Sequence, residues 1–213
     1  INSGTYPFVT TSPTGFSSLV SGTSLKPDYI QNRIGILKIY QTMAGEGPFV
    51  TEVHGEELNV FIKSGDEKEI TDSVQRDRRC GWLDLVSSNW AARSNFSNSI
   101  IITKVDVLSS FNEIKICVAY KDSDGNLKFD YDANKSKLDK LEPVYKTFKG
   151  WKQHVHYKTP FSDLPQELLE VIDFIQHYLD TEVSAVRVGP HENDLIMNPS
   201  SSFGKKLMEQ CRD

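Results

Sequence analysis

Cysteine is scarce in this 213-residue chain, and no run of apolar residues approaches the length needed to cross a bilayer as a helix. Cys80, Cys117 and Cys211 make an odd set without metal-ligand spacing. They exclude a disulfide-stapled scaffold and suit a reducing compartment, the cytoplasm. Charge of neither sign dominates: the net value is −5, so neither a nucleic-acid surface nor a polybasic membrane surface is expected. There is no internal repeat and no low-complexity tract. Metal-ligand clusters are missing too. His154 and His156 alternate as on one strand face, but no third ligand accompanies them. Asp122-Ser123-Asp124-Gly125 resembles the start of a calcium loop, yet the later ligands are absent.

What is present is an alternation of strand and helix patterns. Ile100-Ile101-Ile102-Thr103 reads as a buried strand that runs to Val105. Ile114–Tyr120 and Leu127–Tyr131 flank the Asp122–Gly125 turn and predict a hairpin. Pro165 opens a helix whose apolar face is Leu168, Leu169, Ile172, Ile175 and Leu179, with Asp163 as its expected cap. Val183–Val188 then reads as a strand that ends at Gly189-Pro190. Ile30, Ile34, Leu37 and Tyr40 stand at helical spacing, so a helix is expected there. Phe49–Val53 and Leu58–Ile62 read as strands, Ser64–Arg79 as a loop, and Trp82–Ala92 as a helix. The Ser/Thr-rich opening, Ile1–Lys26, reads as a strand end and a long loop. Trp82, Trp90 and Trp151 are expected core anchors. The fold class is therefore α/β: a mixed sheet with flanking helices and an inserted antiparallel hairpin.

Lys104-Val105-Asp106 carries the most chemical information. It closes a buried strand, and in open α/β sheets ligands bind outside the carboxyl ends of strands. A carboxylate at that edge accepts two hydrogen bonds at once. Guanine offers two adjacent donors, N1–H and the exocyclic amine. Adenine offers an acceptor at N1 and no amine at C2, so the same aspartate rejects it. Taken alone, the tripeptide also fits a plain strand-to-loop junction. Arg76, Arg78 and Arg79 lie within four positions, and guanidinium forks suit carboxylates and phosphates. A solvated charged face, neutralised by Asp72 and Asp77, is the plain alternative there.

Three further blocks join these: Gly4-Thr5-Tyr6-Pro7-Phe8-Val9-Thr10, Gly45-Glu46-Gly47-Pro48-Phe49-Val50-Thr51-Glu52, and Arg76-Asp77-Arg78-Arg79-Cys80-Gly81-Trp82-Leu83-Asp84. With Lys104-Val105-Asp106-Val107-Leu108, Glu113–Tyr120 and Gly189-Pro190 they resemble the C-terminal half of adenylosuccinate synthetase. The resemblance runs from residue 1 to about Pro199. It implies a single unit over residues 1–199 with a tail over 200–213, part of a P-loop-NTPase-like fold. It implies a GTP-dependent C–N ligase that joins IMP and L-aspartate to form adenylosuccinate in AMP biosynthesis, as a homodimer. The family's phosphate loop, its catalytic Asp and His, and its Mg²⁺ ligand would lie upstream of Ile1. The chain is thus expected to be a fragment that is inactive alone and contains no catalytic or metal-binding residue.

By position, the resemblance implies that Thr10 contacts the IMP phosphate. Ser73, Arg76 and Arg78 would hold aspartate, with Arg76 also touching IMP and Arg78 lying near GTP. Lys104, Val105, Asp106, Arg187, Val188 and Gly189 would surround the guanine, and Gly189 would let the backbone approach the ring. The chain departs from the family pattern in three places. Ser73-Val74-Gln75 stands for Thr-Thr-Gly, Ser21–Leu25 for Gly-Ser-Gly-Leu-Gly, and Arg187-Val188 for Ser-Thr. These departures motivate a second reading, a related synthetase acting on another purine nucleotide such as dGMP. A third is a non-catalytic nucleotide-binding module.

Overall fold

The computed structural model describes residues 4–9, 11–12, 14–64, 70–71 and 76–210. In chain order the elements are α1 (Phe16–Thr23), β1 (Ile34–Lys38), β2 (Tyr40–Met43), α2 (Gly55–Lys63), β3 (Ile70–Thr71), β4 (Arg76–Asp77), β5 (Arg79–Asp84) and α3 (Leu85–Ser94). There follow β6 (Ser99–Thr103), α4 (Val105–Leu108), β7 (Glu113–Lys121), β8 (Leu127–Lys128), α5 (Lys135–Leu138), β9 (Glu142–Lys149), α6 (Gln166–Leu179), β10 (Glu182–Arg187), β11 (Leu195–Met197) and α7 (Ser202–Gln210).

Two sheets organise the chain. The first has the order β1-β6-β10-β11, with β1, β6 and β10 parallel and β11 antiparallel. The second has β2-β5-β7-β8, with β9 also paired to β7. Only the β5–β7 pairing in it is parallel. Ile39, between β1 and β2, is buried where the chain passes from one sheet to the other. One apolar cluster draws on both sheets: Ile100, Ile102, Val183 and Val186 from the first, Trp82, Leu83, Ile114 and Ile116 from the second.

Helix α6 covers this core with Leu168, Val171, Ile172, Ile175 and Leu179, all buried. Their spacing gives the continuous stripe that a one-sided helix requires. Each fully buried aliphatic chain of this kind is worth about 1.5–3 kcal/mol of transfer free energy. The expected cap does not form. Pro165 is the N-cap residue without a side-chain bond, and Asp163 ends a 3₁₀ turn, Phe161–Asp163.

Several expectations are corrected. The Ile30–Tyr40 segment is not a helix: a 3₁₀ turn (Pro27–Tyr29) leads into β1 and β2. Its backbone bonds are made in register with β6, Ile34 opposite Ser99 through Lys38 opposite Thr103, and this long-range pairing overrides the helical spacing. Leu58–Ile62 belongs to helix α2, not a strand, with Glu56 and Glu57 in its first turn and Lys63 in its last. Phe49–Val53 is a turn with a single bridge from Glu52 to Gly81. Phe16–Thr23 is helical despite its serines, and the helix starting at Trp82 begins only at Leu85, after strand β5. Strand β9 was not anticipated. The hairpin at Asp122–Gly125, the strand before Lys104 and the strand before Gly189 were foreseen, although β8 is only two residues long. The expected loop at Ser64–Arg79 lies partly outside the described residues; within it Ile70–Thr71 and Arg76–Asp77 pair as β3 and β4, and Arg79 begins β5. Trp82 and Trp151 are core residues, but Trp90 is 37% exposed and stacks on Tyr131.

Candidate functional site

Three parallel strands of the first sheet end side by side. β1 ends at Lys38, which pairs in register with Thr103 of β6. β10 is the other neighbour of β6, with Val186 opposite Ile102. The residues that follow β6 (Lys104, Val105, Asp106) and β10 (Val188, Gly189, Pro190) therefore leave adjacent strand ends on one edge of the sheet. The register brings together the two segments nominated separately from sequence.

Lys104 makes the turn out of β6 with φ 64°, left-handed backbone that a side chain-bearing residue seldom adopts. α4 follows at once. Val105, Val107 and Leu108 are buried in the core, whereas Asp106 is half-buried at the edge. The Asp106 carbonyl accepts from Ser109 Oγ at 2.6 Å, which closes the turn. Val105 and Val188 are core side chains, so only their main chain can face a ligand at this edge. Arg187 donates from its guanidinium to the carbonyl of Pro190, across its own turn.

A cleft of about 580 Å³ opens next to this edge. Its lining includes Thr5, Lys38, Gln41, Arg78, Asp84 and Tyr120. Arg78 is half-buried, and its Nε is shielded from solvent without a hydrogen-bond partner. A guanidinium on that wall can take a carboxylate or a phosphate bidentately. Lys38 joins it on the wall, its ammonium 3.2 Å from Thr42 Oγ1 and 4.9 Å from the Tyr40 ring. Lys38 therefore belongs both to the cleft and to the row of strand ends.

Arg79, two positions beyond Asp77, has a different task. Its Nε donates to Glu52 Oε1 at 2.7 Å, its Nη2 pairs with Glu52 Oε2, and its Nη1 donates to the Gly47 carbonyl at 2.9 Å. These bonds tie β5 to the Gly45–Glu52 turn beneath the cleft and hold the Glu52 carboxyl below the usual carboxylate range. At the cleft floor, Asp84 caps α3, with Oδ1 accepting from Val86 N at 2.9 Å and Ser87 N at 3.1 Å. Burial pushes its carboxyl up, opposed by the bond from Tyr120 and these amides.

Of the nominated residues, the fold gathers Lys104, Val105, Asp106, Arg187, Val188 and Gly189 at one sheet edge and puts Arg78 in the neighbouring cleft. Arg76 lies in β4, paired with β3. Thr10 and Ser73 lie outside the described residues. The helical spacing of Ile30–Tyr40 hides Lys38 from the sequence; the strand-end rule that singles out Asp106 finds Lys38 as soon as β1 is a strand. Among the described residues there is no group of three or more His, Cys, Asp or Glu side chains placed to hold a metal ion. Among them, too, no helix is long and apolar enough to cross a membrane.

These features define an α/β protein whose polar groups collect at the carboxyl ends of parallel strands, the place where such sheets bind ligands. The sequence model of the adenylosuccinate synthetase family matches residues 1–196, and the chain belongs to that family. It is 40% identical over 198 residues to adenylosuccinate synthetase of Aquifex aeolicus, covering 92% of this chain and 45% of the relative. It is 39% identical over 196 residues to that of Mycosarcoma maydis, covering 92% and 44%. The fully ligated adenylosuccinate synthetase of Plasmodium falciparum superposes with a TM-score of 0.86 at 34% identity, over 92% of this chain and 46% of that one. The chain thus spans about half the length of the curated relatives it matches. A cyanophage S-2L succinoaminodeoxyadenylate synthetase, solved with dGMP and dATP, shares the fold at a TM-score of 0.52, but at 13% identity it lends no support to a dGMP acceptor here.

Proposed function

We propose that this chain supplies the guanine-binding edge and part of the aspartate-binding cleft of a GTP-dependent adenylosuccinate synthetase. In the reaction, GTP phosphorylates the 6-oxygen of IMP, and the α-amino group of L-aspartate displaces that phosphate. Phosphorylation turns a poor leaving oxygen into a good one. Asp106 accepts the N1–H and exocyclic amine of guanine, Lys104 lays its stem on the base, and Gly189 gives the ring room. Arg78 takes a carboxylate of aspartate, a task shared with Arg76 and Ser73, and Thr10 contacts the IMP phosphate. Mg²⁺ would accompany GTP and neutralise phosphate charge, with its ligands supplied by the half of the family's length that this chain does not span. The whole enzyme acts as a cytoplasmic homodimer.

The observation that carries this reading is the adjacency of the Lys104–Asp106 and Val188–Pro190 turns on neighbouring parallel strands, in a chain of this family. The test is a donor and acceptor panel on a complete synthetase containing this chain. Adenylosuccinate formation from IMP and aspartate is expected with GTP and not with ATP. Equal use of ATP would remove the role given to Asp106, and preference for dGMP over IMP would replace the acceptor. The 213-residue chain alone is expected to give no adenylosuccinate.

A further inference from the structure

The turn after β10 is braced by one side chain that no assignment above uses. β10 and β11 pair up to Arg187 opposite Leu195, which leaves residues 188–194 as the loop. Asp194 closes it three times over. Its carbonyl accepts from Val188 N at 2.9 Å, its own N–H donates to the His191 carbonyl at 3.0 Å, and its Oδ2 accepts from His191 N at 2.8 Å. The same carboxylate lies against Gly189. A Cβ added there would stand 2.5 Å from Asp194 Oδ2 and 2.9 Å from its Cγ. Gly189 is thus side chain-free for a reason internal to the loop as well: the space is taken by Asp194.

We propose that Asp194 is a positioning residue of the purine site, its carboxylate seated in the space beside Gly189 and tied to the His191 amide so that the Val188–Pro190 main chain is held against the base opposite Asp106. This rests on the guanine site proposed above and adds the group that fixes one of its walls. A loop of seven residues loses conformational freedom when it binds a ligand, and a brace made before binding removes that cost. The brace depends on shape and on an acceptor oxygen. Asparagine keeps both. Glutamate keeps the charge but adds a methylene to a seat that is already full.

The test is an amide NMR titration of the 213-residue chain with guanosine, with adenosine as control. Guanosine at millimolar concentration is expected to shift the amides of 104–106 and 188–190, and adenosine is not. Asp194→Ala and Asp194→Glu should each weaken guanosine about tenfold, the equivalent of one lost hydrogen bond or a little more. Asp194→Asn should bind as the unsubstituted chain does. Gly189→Ala should weaken binding as Asp194→Ala does, and the double variant should be no weaker than either, because the two act on one seat. The contrast of Asp194→Glu with Asp194→Asn keeps the test decisive if the alanine variant at 194 loses its dispersed spectrum. A guanosine-selective response left unchanged by Asp194→Ala and Asp194→Glu overturns the positioning role alone. Equal loss of guanosine binding in Asp194→Glu and Asp194→Asn overturns it too, because asparagine keeps both the shape and the acceptor oxygen. No guanosine-selective shift in the unsubstituted chain overturns the guanine site itself.

Discussion

Tyr120 donates its phenolic hydrogen to Oδ2 of Asp84, while Oδ1 of the same carboxylate caps helix α3. Both residues are buried at the floor of the cleft, and one acid therefore fixes β5, β7 and α3 together. Tyr120→Phe leaves Oδ2 buried without this donor, and a loss of about 1–3 kcal/mol is expected in urea unfolding. The pH dependence has a defined sign. Burial raises the Asp84 carboxyl above its ordinary value in the folded state. Its contribution is therefore fully present below the unfolded carboxylate value and is lost as pH rises through the folded one. Without Tyr120 the folded value rises further, so the variant should lose more stability at neutral pH than in acid. Asp84→Asn should abolish that difference.

Glu52 gives the opposite slope. The Arg79 guanidinium holds its carboxyl below the ordinary range, first through the side-chain hydrogen bond. Its contribution is present above the unfolded carboxylate value and is lost as pH falls through the folded one. Glu52→Gln is expected to cost about 1–2 kcal/mol at neutral pH, since both partners are less than one-third exposed and the pair is bidentate. Stability curves of the two proteins should converge in acid. Parallel curves from neutral pH into acid would show that the pair does not stabilise the fold.

Lys104 isolates backbone strain from side-chain chemistry. At φ 64° a Cβ is disfavoured, and glycine alone is indifferent. Lys104→Gly and Lys104→Ala both remove the ammonium. The glycine variant should nonetheless be the more stable by about 1 kcal/mol in chemical unfolding. Equal stabilities would mean that the turn relaxes out of the left-handed region when the lysine is gone.

How far the fold was legible follows from these residues. Gly189 reads locally as a simple turn and gains a role only through the family resemblance, whereas Asp106 could be found because it follows a buried, β-branched strand, a pattern local to a few residues. Lys38 could not, because Ile34, Leu37 and Tyr40 also satisfy a helical period, and only pairing with β6, more than sixty residues away, decides for a strand. β9 carries Pro143 and alternates weakly, and its identity comes from an eight-residue match to β7. Phe16–Thr23 has the composition of a loop, but its first amide is fixed by Asn95 at the end of α3, a partner no local pattern contains. The role of Asp194 is hidden for the same reason: its carboxylate fills the space that a Cβ of Gly189, five residues earlier, would take.

Gly81 shows that the arginine block encodes packing as well as chemistry. A Cβ there would sit 2.6 Å from the Thr51 carbonyl oxygen and 2.7 Å from the Phe49 ring. The contact is with backbone, and the strand cannot swing away without breaking its pairing to β2. Gly81→Ala is expected to destabilise by about 1–3 kcal/mol, with a lower urea midpoint and an unchanged slope.

Asp106→Asn offers the sharpest test of the guanine edge, because it predicts a gain along with a loss. The carboxylate presents two acceptors, complementary to the N1–H and amine of guanine. An asparagine amide presents one acceptor and one donor. Against guanine that donor meets the 2-amino group, and one buried bond becomes a repulsion. Xanthine carries a 2-oxo acceptor in place of the amine and keeps N1–H, so it complements the amide as guanine complements the acid. In a complete synthetase containing this chain, the variant should use GTP about 10²–10⁴-fold less efficiently, the scale expected when one edge bond is lost and another opposed. XTP should become the preferred donor, with the Michaelis constants for IMP and aspartate little changed. A uniform loss across GTP, XTP and ATP would show that Asp106 supports the turn without reading the base.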